Sequence, residues 1–291
     1  MSIVMVTGSS RGIGFETALA FARAGHRVAA TMRNPNKSPE LAQIAAREKL
    51  AITAYAMDVD DDASVRDGIA RIVKELGPID ILVNNAGIER MKSVEETLLQ
   101  DARDVMETNY FGAIRCIQAV MPSMRTRRSG CIINVTSVAG RISLSPMATY
   151  AASKFALEAL SEALAQEAKT FNVRVVIVQP GIIATDMATD ISKEEVGSPY
   201  AQKRRISALY RAVLKSPVPA AFVADAILEI AKSDSPQLRY PVGPDAIPFL
   251  GWRSSFTDEQ WTDLGAADDD AWYARIQSDF GVDARAEAQK S

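Results

Sequence analysis

VTGSSRGIG, residues 6–14, lies between a short β-branched run and an Ala-rich stretch with helical periodicity. Its glycines, Gly8, Gly12 and Gly14, follow a G-x-x-x-G-x-G spacing. Glycines at such a turn let the chain bend tightly and let its backbone approach a ligand closely. The N-terminus of the following helix offers free N–H groups and a positive dipole end, which suit a pyrophosphate. The stretch therefore predicts a dinucleotide-binding turn, with a glycine-rich turn that binds nothing as the alternative.

The same alternation of β-branched runs with helix-like stretches continues along the chain and predicts the fold. Further β-branched runs, separated by Ala-, Glu- and Leu-rich stretches, lie at residues 26–32, 51–59, 80–87, 130–137, 173–181 and 239–243. These runs are apolar on both faces, as in parallel strands that helices cover on both sides. We therefore expect an α/β fold, a single doubly wound parallel sheet (Rossmann-like) with helices on both faces and a C-terminal extension.

Composition narrows the domain organisation and the class of partner. The chain of 291 residues suits one domain over residues 1–243 and an extension over 244–291 that packs on the same domain. Residues 186–219 are expected to form a lid over the molecule that this domain binds. A net charge of −3 gives no sign of nucleic-acid binding. No apolar run approaches the roughly 18 residues that a membrane span needs, and the start has no secretory pattern, so we expect a cytoplasmic protein with no membrane partner. The single histidine, His26, and two cysteines leave little for a Ser-His-Asp triad or a metal site.

The second strand-like run indicates which dinucleotide binds. NAD-binding folds hold the adenosine ribose with a carboxylate about 20 residues beyond the glycines. Here the run ends Ala30-Thr31-Met32-Arg33-Asn34, with an arginine and no acid. A planar guanidinium suits a phosphate, and Arg11 offers a second cation. NADP(H) is thus favoured over NAD(H), unless both arginines are only solvated surface charges.

Several further motifs occur in order along the chain. They are TGSSRGIG (7–14), Asp58-Val59, NNAG (84–87), Asn109, Ser137, the YAASK stretch with Tyr150 and Lys154, Pro180-Gly181 and Thr185. In this order and spacing, the chain resembles the short-chain dehydrogenase/reductase family from residue 3 to about 187. ATMRNP (30–35) is similar to members that act on steroids and retinoids. The resemblance implies a homodimer or homotetramer, a catalytic tetrad of Asn109, Ser137, Tyr150 and Lys154, and an NADP(H) site. With the arginines above, the expected cofactor residues are Gly8, Ser10, Arg11, Gly12, Ile13, Gly14, Arg33, Asp58, Val59, Asn85, Ala86, Gly87, Tyr150, Lys154, Pro180, Gly181, Ile183 and Thr185.

Reduction of a carbonyl by hydride needs a proton donor, and the reverse reaction needs a base. A tyrosine has an ordinary pKa of about 10, and a nearby lysine cation together with an oxidised nicotinamide lowers that value. Tyr150 is therefore expected to be the acid/base and Lys154 its electrostatic partner, which the resemblance also places on the nicotinamide ribose. Ser137 is expected to hydrogen-bond the substrate oxygen, and Asn109 to relay protons through a water. The alternatives are a surface pair of Tyr150 and Lys154, a serine that only ends a strand, and a satisfied buried amide.

The substrate side is predicted from apolar residues around the expected reaction centre. Candidates are Met91, Ser145, Met147, Ile183, Met187 and Tyr210, each with ordinary packing as its alternative. They favour a hydrophobic ketone or secondary alcohol. In the extension, Thr257 followed by acidic residues predicts the start of a helix. The three tryptophans are expected to anchor the extension to the core. The terminal segment ARAEAQKS (284–291) is expected to fray.

The sequence thus predicts an NADP(H)-dependent carbonyl reductase or alcohol dehydrogenase. Two other functions remain open at this point. One is a protein that senses NADP(H) without turnover, although such proteins typically lose the tyrosine or the lysine. The other is an NADP-using epimerase or dehydratase, although the chain has no domain of a size to bind a sugar nucleotide.

Overall fold

A computed structural model describes residues 1–193 and 197–289, and within them seven parallel strands form one sheet in the order β3-β2-β1-β4-β5-β6-β7. The strands are β1 (Ile3–Thr7), β2 (Arg27–Met32), β3 (Ile52–Ala56), β4 (Ile81–Asn84), β5 (Gly130–Val135), β6 (Val173–Pro180) and β7 (Arg239–Val242). Each lies within a run that the sequence predicts as a strand, so the doubly wound α/β fold is confirmed.

Helices connect the strands and cover the sheet. They are α1 (Gly12–Arg23), α2 (Glu40–Glu48), α3 (Asp62–Leu76), α4 (Leu99–Met106), α5 (Gly112–Arg127), α6 (Ala148–Lys169), α7 (Asp186–Ser192), α8 (Ala201–Val213), α9 (Ala220–Lys232), α10 (Ala246–Ser254), α11 (Asp258–Ala266), α12 (Asp269–Phe280) and α13 (Arg285–Ala288). A π-helical turn, Glu107–Phe111, joins α4 to α5.

Successive side chains of one strand supply the two layers of the core. Val4 and Val6 of β1 pack with buried side chains of α1, α2 and α9. Met5, between them, points to the opposite layer and packs with α3, α5 and α6. This alternation follows from the two-residue period of a strand. It explains why the strands are apolar throughout, since helices cover both faces of the sheet.

The strand order reverses at β1, which pairs with β2 on one side and β4 on the other. The connections that leave these neighbours run to opposite sides of the sheet, and a crevice opens at the carboxyl ends of the strands. In open α/β sheets ligands bind at such a switch point. The glycine turn after β1 and the NNAG segment after β4 lie on either side of it.

The C-terminal extension forms a third apolar cluster with α7, α8 and Tyr150. Trp252 and Trp272 are buried in this cluster, and the indole of Trp261 donates a hydrogen bond to the Ser143 carbonyl oxygen at 3.2 Å. The tryptophans therefore attach the extension to the core. The capping box of α11 confirms the helix start predicted at Thr257.

The expected fraying of ARAEAQKS is wrong for the part that the structure describes. Ala284 is buried within the third cluster, and α13 packs beside α8. Burial of this short helix explains why a polar terminal sequence is ordered here. Residues 194–196 of the predicted lid and residues 290–291 of the extension lie outside the described residues.

Candidate active site

A cavity of about 450 Å³ lies at the carboxyl ends of the central strands. Most of the residues predicted from the sequence line it: Gly8, Ser10, Arg11, Gly12, Ile13, Arg33, Asp58, Val59, Asn85, Ala86, Gly87, Ser137, Met147, Tyr150, Lys154, Pro180, Gly181, Ile183, Thr185, Met187 and Tyr210. Four predicted residues are not among its lining residues: Gly14, Met91, Asn109 and Ser145. Thus the structure gathers residues from six strand ends at one cavity.

The glycine turn is shaped by its neighbours on both sides. Gly8 and Gly12 have φ angles of +66° and +59°, a region that side chains disfavour. A Cβ atom on Gly14 would lie 2.3 Å from Asn85 Nδ2 and 2.4 Å from the Gly8 carbonyl oxygen. Gly14 therefore allows α1 to pack closely on the turn rather than lining the cavity. Arg11 precedes α1, and its Nη1 lies 3.0 Å from Asp186 Oδ2, with both side chains exposed.

Thr7 fixes the turn against the NNAG segment. Its hydroxyl oxygen accepts hydrogen bonds from the amides of Asn85 and Ala86, both at 3.0 Å. The Asn85 side chain in turn donates to the Thr7 carbonyl oxygen at 3.0 Å. Asn84 donates to Asn134 Oδ1 at 2.8 Å. Asn85 therefore braces the glycine turn and Asn84 links β4 to β5, whereas the role of Thr7 was missed because its pattern signals only a strand end.

Arg33 and Asp58-Val59, which the sequence assigns to the adenosine, line the same cavity. Arg33 follows β2 directly and is exposed. The Asp58 carboxylate accepts the Asp60 amide at 3.2 Å. Asp58 does not cap the next helix, because Asp61 precedes α3 and accepts the Ser64 amide. Asp58 and Arg33 are thus free to face the cavity.

Tyr150 and Ser137 meet at the centre of the cavity. Burial raises the pKa of Tyr150 to about 12, a hydrogen bond from Ser137 opposes this rise, and the charge of Glu89 adds to it. In the protein alone, desolvation of the phenolate therefore outweighs its partners. The lower pKa expected beside Lys154 and a bound, oxidised nicotinamide stays a prediction. The Ser137 oxygen also accepts the Ala139 amide at 3.1 Å, which fixes its side chain.

Lys154 lies one turn along α6 from Tyr150. Its Nζ is 5.7 Å from the Tyr150 ring centroid and donates to the Val135 carbonyl oxygen at 3.0 Å. Burial lowers the pKa of this ammonium to about 8, while the charge of Glu158 acts in the opposite direction. Both residues are buried, so the alternative of an exposed surface pair is excluded.

Asn109 lies in the π-helical turn and is buried. Its amide exchanges two hydrogen bonds with the Ile88 backbone, at 2.8 and 2.9 Å, and donates to Ser153 Oγ at 2.9 Å. A Cβ on Gly87 would lie 3.3 Å from Asn109 Oδ1 and 3.7 Å from Lys154 Nζ. Asn109 is therefore a satisfied buried amide beside the lysine, and its relay through water stays a prediction.

The part of the cavity where the sequence predicts the substrate is largely apolar. Its lining includes Ile142, Leu144, Met147, Ile182, Met187, Ile191, Ile206, Leu209, Tyr210 and Phe249. Met91 is buried in the third cluster and Ser145 is exposed. Phe249 belongs to the extension, and sequence reasoning missed it because no motif links α10 to the catalytic residues.

Two half-buried carboxyl groups, Glu89 and Asp245, lie near this end. Burial raises the pKa of Glu89 to about 7 and also raises the pKa of Asp245. Asp245 Oδ2 accepts the Ile182 amide at 2.7 Å. Burial also raises the pKa of Tyr210, and the charges of Tyr150, Glu89 and Asp245 add to this rise. The phenols and carboxyls therefore belong to one electrostatic environment.

Comparison with known proteins places the chain in a family. The model of the short chain dehydrogenase family matches residues 2–196. An oxidoreductase of Botryotinia fuckeliana is 32% identical over 274 residues, which cover 91% of this chain and 98% of the relative. Retinol dehydrogenase 8 of Bos taurus is 40% identical over 188 residues, which cover 63% of this chain and 59% of the relative.

Solved structures agree with the family match. A short-chain dehydrogenase from Streptomyces avermitilis superposes with a TM-score of 0.77 and 32% identity, covering 92% of this chain and 98% of that one. A gluconate 5-dehydrogenase from Burkholderia cenocepacia, in complex with NADP and tartrate, has a TM-score of 0.66 and 29% identity, covering 77% of this chain and 86% of that one. The chain belongs to the short-chain dehydrogenase family and is an oxidoreductase.

Proposed function

We propose that the protein is an NADP(H)-dependent oxidoreductase that interconverts a hydrophobic ketone and its secondary alcohol. The observation that carries this proposal is the meeting of Tyr150, Ser137 and Lys154 in one cavity that the glycine turn also lines. The family match supports a dehydrogenase or reductase. The gluconate 5-dehydrogenase complex with NADP supports the class of cofactor.

The cofactor half of the cavity fits a dinucleotide. Gly8 and Gly12 have positive φ angles, and the N-terminus of α1 directs free N–H groups into the turn. Arg33 offers an exposed guanidinium to a ribose phosphate, and Arg11 lies on the other side of the turn beside Asp186. The backbone at Pro180, Gly181 and Ile183 lines the nicotinamide end. When bound, the nicotinamide supplies or accepts the hydride.

The catalytic residues bind the substrate oxygen, transfer the proton and stabilise the charge that this transfer leaves. Ser137 and Tyr150 both hydrogen-bond the substrate oxygen, which orients it for reaction. In reduction, Tyr150, whose phenol is protonated at neutral pH, donates its proton to the forming alkoxide. Lys154 stabilises the phenolate that remains and holds the ribose. Asn109 fixes the Ile88 backbone beside the lysine and completes the proton route.

The substrate side is proposed from its apolar walls. Met147, Met187 and Tyr210 supply contact area for an apolar substrate, which suits the likeness to retinol dehydrogenase. Helices α7 and α8 carry much of this wall, so we propose that residues 186–219 act as a lid. Of the chain that the structure describes, no helix is long and apolar enough to cross a membrane. We further propose a cytoplasmic homodimer or homotetramer.

A panel of ketones and alcohols, assayed with NADPH, NADH and the oxidised cofactors, tests the proposal. Phenanthrenequinone serves as a reactive aromatic diketone probe, beside acetophenone, a steroid ketone and a retinoid aldehyde. We expect NADPH oxidation with the apolar carbonyls. Tyr150→Phe should lower turnover at least about 100-fold while leaving NADPH binding nearly unchanged. Tight NADPH binding without turnover of any compound would instead indicate a sensor of NADP(H).

A further inference from the structure

A buried carboxylate lies one helical turn beyond Lys154. Glu158 is only 4% exposed. Its Oε1 accepts hydrogen bonds from Thr136 Oγ1 at 2.8 Å and from Gln179 Nε2 at 2.9 Å. Its Oε2 accepts from Arg239 Nε at 2.8 Å. The carboxylate is thus held at once by β6, by β7 and by the residue that follows β5.

The spacing places this carboxylate in line with the catalytic residues. Tyr150, Lys154 and Glu158 stand four residues apart on α6, so they share one face of the helix. A Cβ on Gly140 would lie 2.8 Å from Glu158 Cγ and 3.2 Å from the Lys154 carbonyl oxygen. The turn after Ser137 therefore packs directly on the Lys154–Glu158 step of the helix and leaves no room for solvent there.

We propose that Glu158 is a positioning residue that acts through Lys154, and that its buried carboxylate is the counter-charge of the catalytic ammonium. Arg239 sets how much of that negative charge acts on Lys154, because its guanidinium pairs with the same carboxylate. The effect on turnover rests on the proposed function. The electrostatic coupling of the two residues does not.

The electrostatics of the surroundings support this assignment. Burial disfavours the charge of Lys154, and Glu158 is the charged group that opposes this effect. The charge of Glu89 acts on Tyr150, and Asn109 beside the lysine is neutral. Arg239 is shared with Glu162, one turn further along α6, whose carboxylate is exposed. Glu162 therefore offers a matched control on the same helix and the same arginine.

A structural role alone predicts a different result. The hydrogen bonds of Glu158 tie α6 to β6, to β7 and to the residue that follows β5, so any substitution there lowers stability to some extent. In a protein that remains folded, loss of these hydrogen bonds alone would not shift the pH midpoint at which Lys154 titrates. Titration of Lys154 itself is therefore the measurement that separates the two roles.

The test is an NMR titration of the full-length protein with lysine labelled at Cε, in which Lys154→Arg identifies the Lys154 signal. Glu158→Gln should shift the midpoint of the Lys154 titration downward by about one pH unit. Arg239→Gln should shift it upward, because the carboxylate then acts unopposed, and Glu162→Gln should leave it nearly unchanged. An unchanged midpoint in Glu158→Gln would overturn the proposal. If that variant does not fold, Arg239→Gln decides in the same way.

The activity profile gives an independent readout. The kcat/KM for phenanthrenequinone reduction by NADPH should show its alkaline limb at lower pH in Glu158→Gln and at higher pH in Arg239→Gln. This direction holds whichever member of the Tyr150–Lys154 pair titrates, because removing a negative charge eases proton loss from both. A wild type that turns over no carbonyl contradicts the proposed function only, since the NMR titration still tests the coupling.

Discussion

The ammonium Nζ of Lys154 donates a hydrogen bond of 3.0 Å to the carbonyl oxygen of Val135, the last residue of β5. This bond anchors a buried charge to the strand end from which Ser137 also follows. Lysine and serine therefore keep a fixed relationship that depends on the sheet and not on the mobility of a long side chain. The same arrangement leaves the remaining ammonium protons available to a ligand in the cavity.

Loss of this charge should abolish most of the activity. Lys154→Met is expected to lower kcat/KM for phenanthrenequinone by about 100-fold or more, because the phenolate of Tyr150 then forms without a neighbouring cation. In the wild type, kcat/KM should decline above about pH 8, where the lowered pKa of Lys154 allows the ammonium to lose its proton. Lys169→Met, at the exposed end of the same helix, is the control. Activity of Lys154→Met near that of the control would contradict the assigned role.

Arg33 should determine the choice between the two dinucleotides. In Arg33→Asp, the KM for NADPH should rise by about 100-fold while that for NADH changes little, because a carboxylate repels the ribose phosphate and accepts hydroxyls instead. Lys74→Asp makes the same change of charge on the exposed surface of α3 and controls for net charge. Steady-state assays with both cofactors give the ratio of the KM for NADPH to the KM for NADH. Equal weakening of both would show that Arg33 does not contact the phosphate.

Gly14 and Gly251 should respond in opposite ways to the same substitution. Gly14→Ala is expected to lower the free energy of unfolding by about 3 kcal/mol or more, because its Cβ would lie 2.4 Å from a backbone oxygen. Gly251 lies inside α10 with no atom within 4 Å of a built Cβ, so Gly251→Ala should stabilise by up to about 1 kcal/mol. Urea denaturation measures both. Similar stability of the two variants would contradict the close packing inferred for the turn.

The strands were predictable because each is apolar on both faces, and the cofactor turn because its glycines follow a strand. Three of the four expected catalytic side chains line one cavity: Ser137 follows β5 closely, whereas Tyr150 and Lys154 are placed there by α6. What could not be predicted depends on contacts between distant parts of the chain. Phe249 reaches the cavity from the extension, and Arg11 pairs with Asp186 across 175 positions.

The protonation behaviour of the site was also beyond the sequence. A lysine four residues from Tyr150 suggests a lowered phenol pKa, but in the protein alone burial decides the sign. That burial follows from the packing of α6 against β6 and from the third apolar cluster. Burial likewise allows α13 to form from a polar sequence. Pattern and spacing therefore predict where residues lie better than they predict how strongly those residues are desolvated.

Asp245 and Gly181 should show strong coupling in a double-mutant cycle. A Cβ on Gly181 would lie 2.1 Å from Asp245 Oδ1, so Gly181→Ala alone is expected to distort the segment before Ile182 and to weaken NADPH binding about tenfold or more. Asp245→Ala removes the obstructing carboxylate together with the acceptor of the Ile182 amide. The double variant should therefore bind NADPH better than Gly181→Ala does. Fluorescence titrations measure NADPH binding to the three variants. If the changes in binding free energy of the two single variants add up to that of the double variant, the two residues do not share this contact.

Glu89 should make the protein less stable as the pH rises. Burial raises the pKa of this carboxyl from its ordinary 4.5 to about 7, so the folded protein holds the proton more tightly than the unfolded chain. The free energy of unfolding therefore falls between about pH 4.5 and pH 7, and the penalty is fully present above that window. Glu89→Gln removes the buried charge, and Oε1 has no hydrogen-bond partner to lose.

We accordingly expect Glu89→Gln to be more stable than the wild type by about 1–3 kcal/mol at pH 8, with a clearly smaller gain at pH 5. Glu167→Gln, on the exposed surface of α6, should change stability little at either pH. Urea denaturation at the two pH values measures these differences. A gain that is equal at pH 5 and pH 8, or a loss at pH 8, would show that Glu89 is not held as a desolvated charge beside Tyr150 and Tyr210.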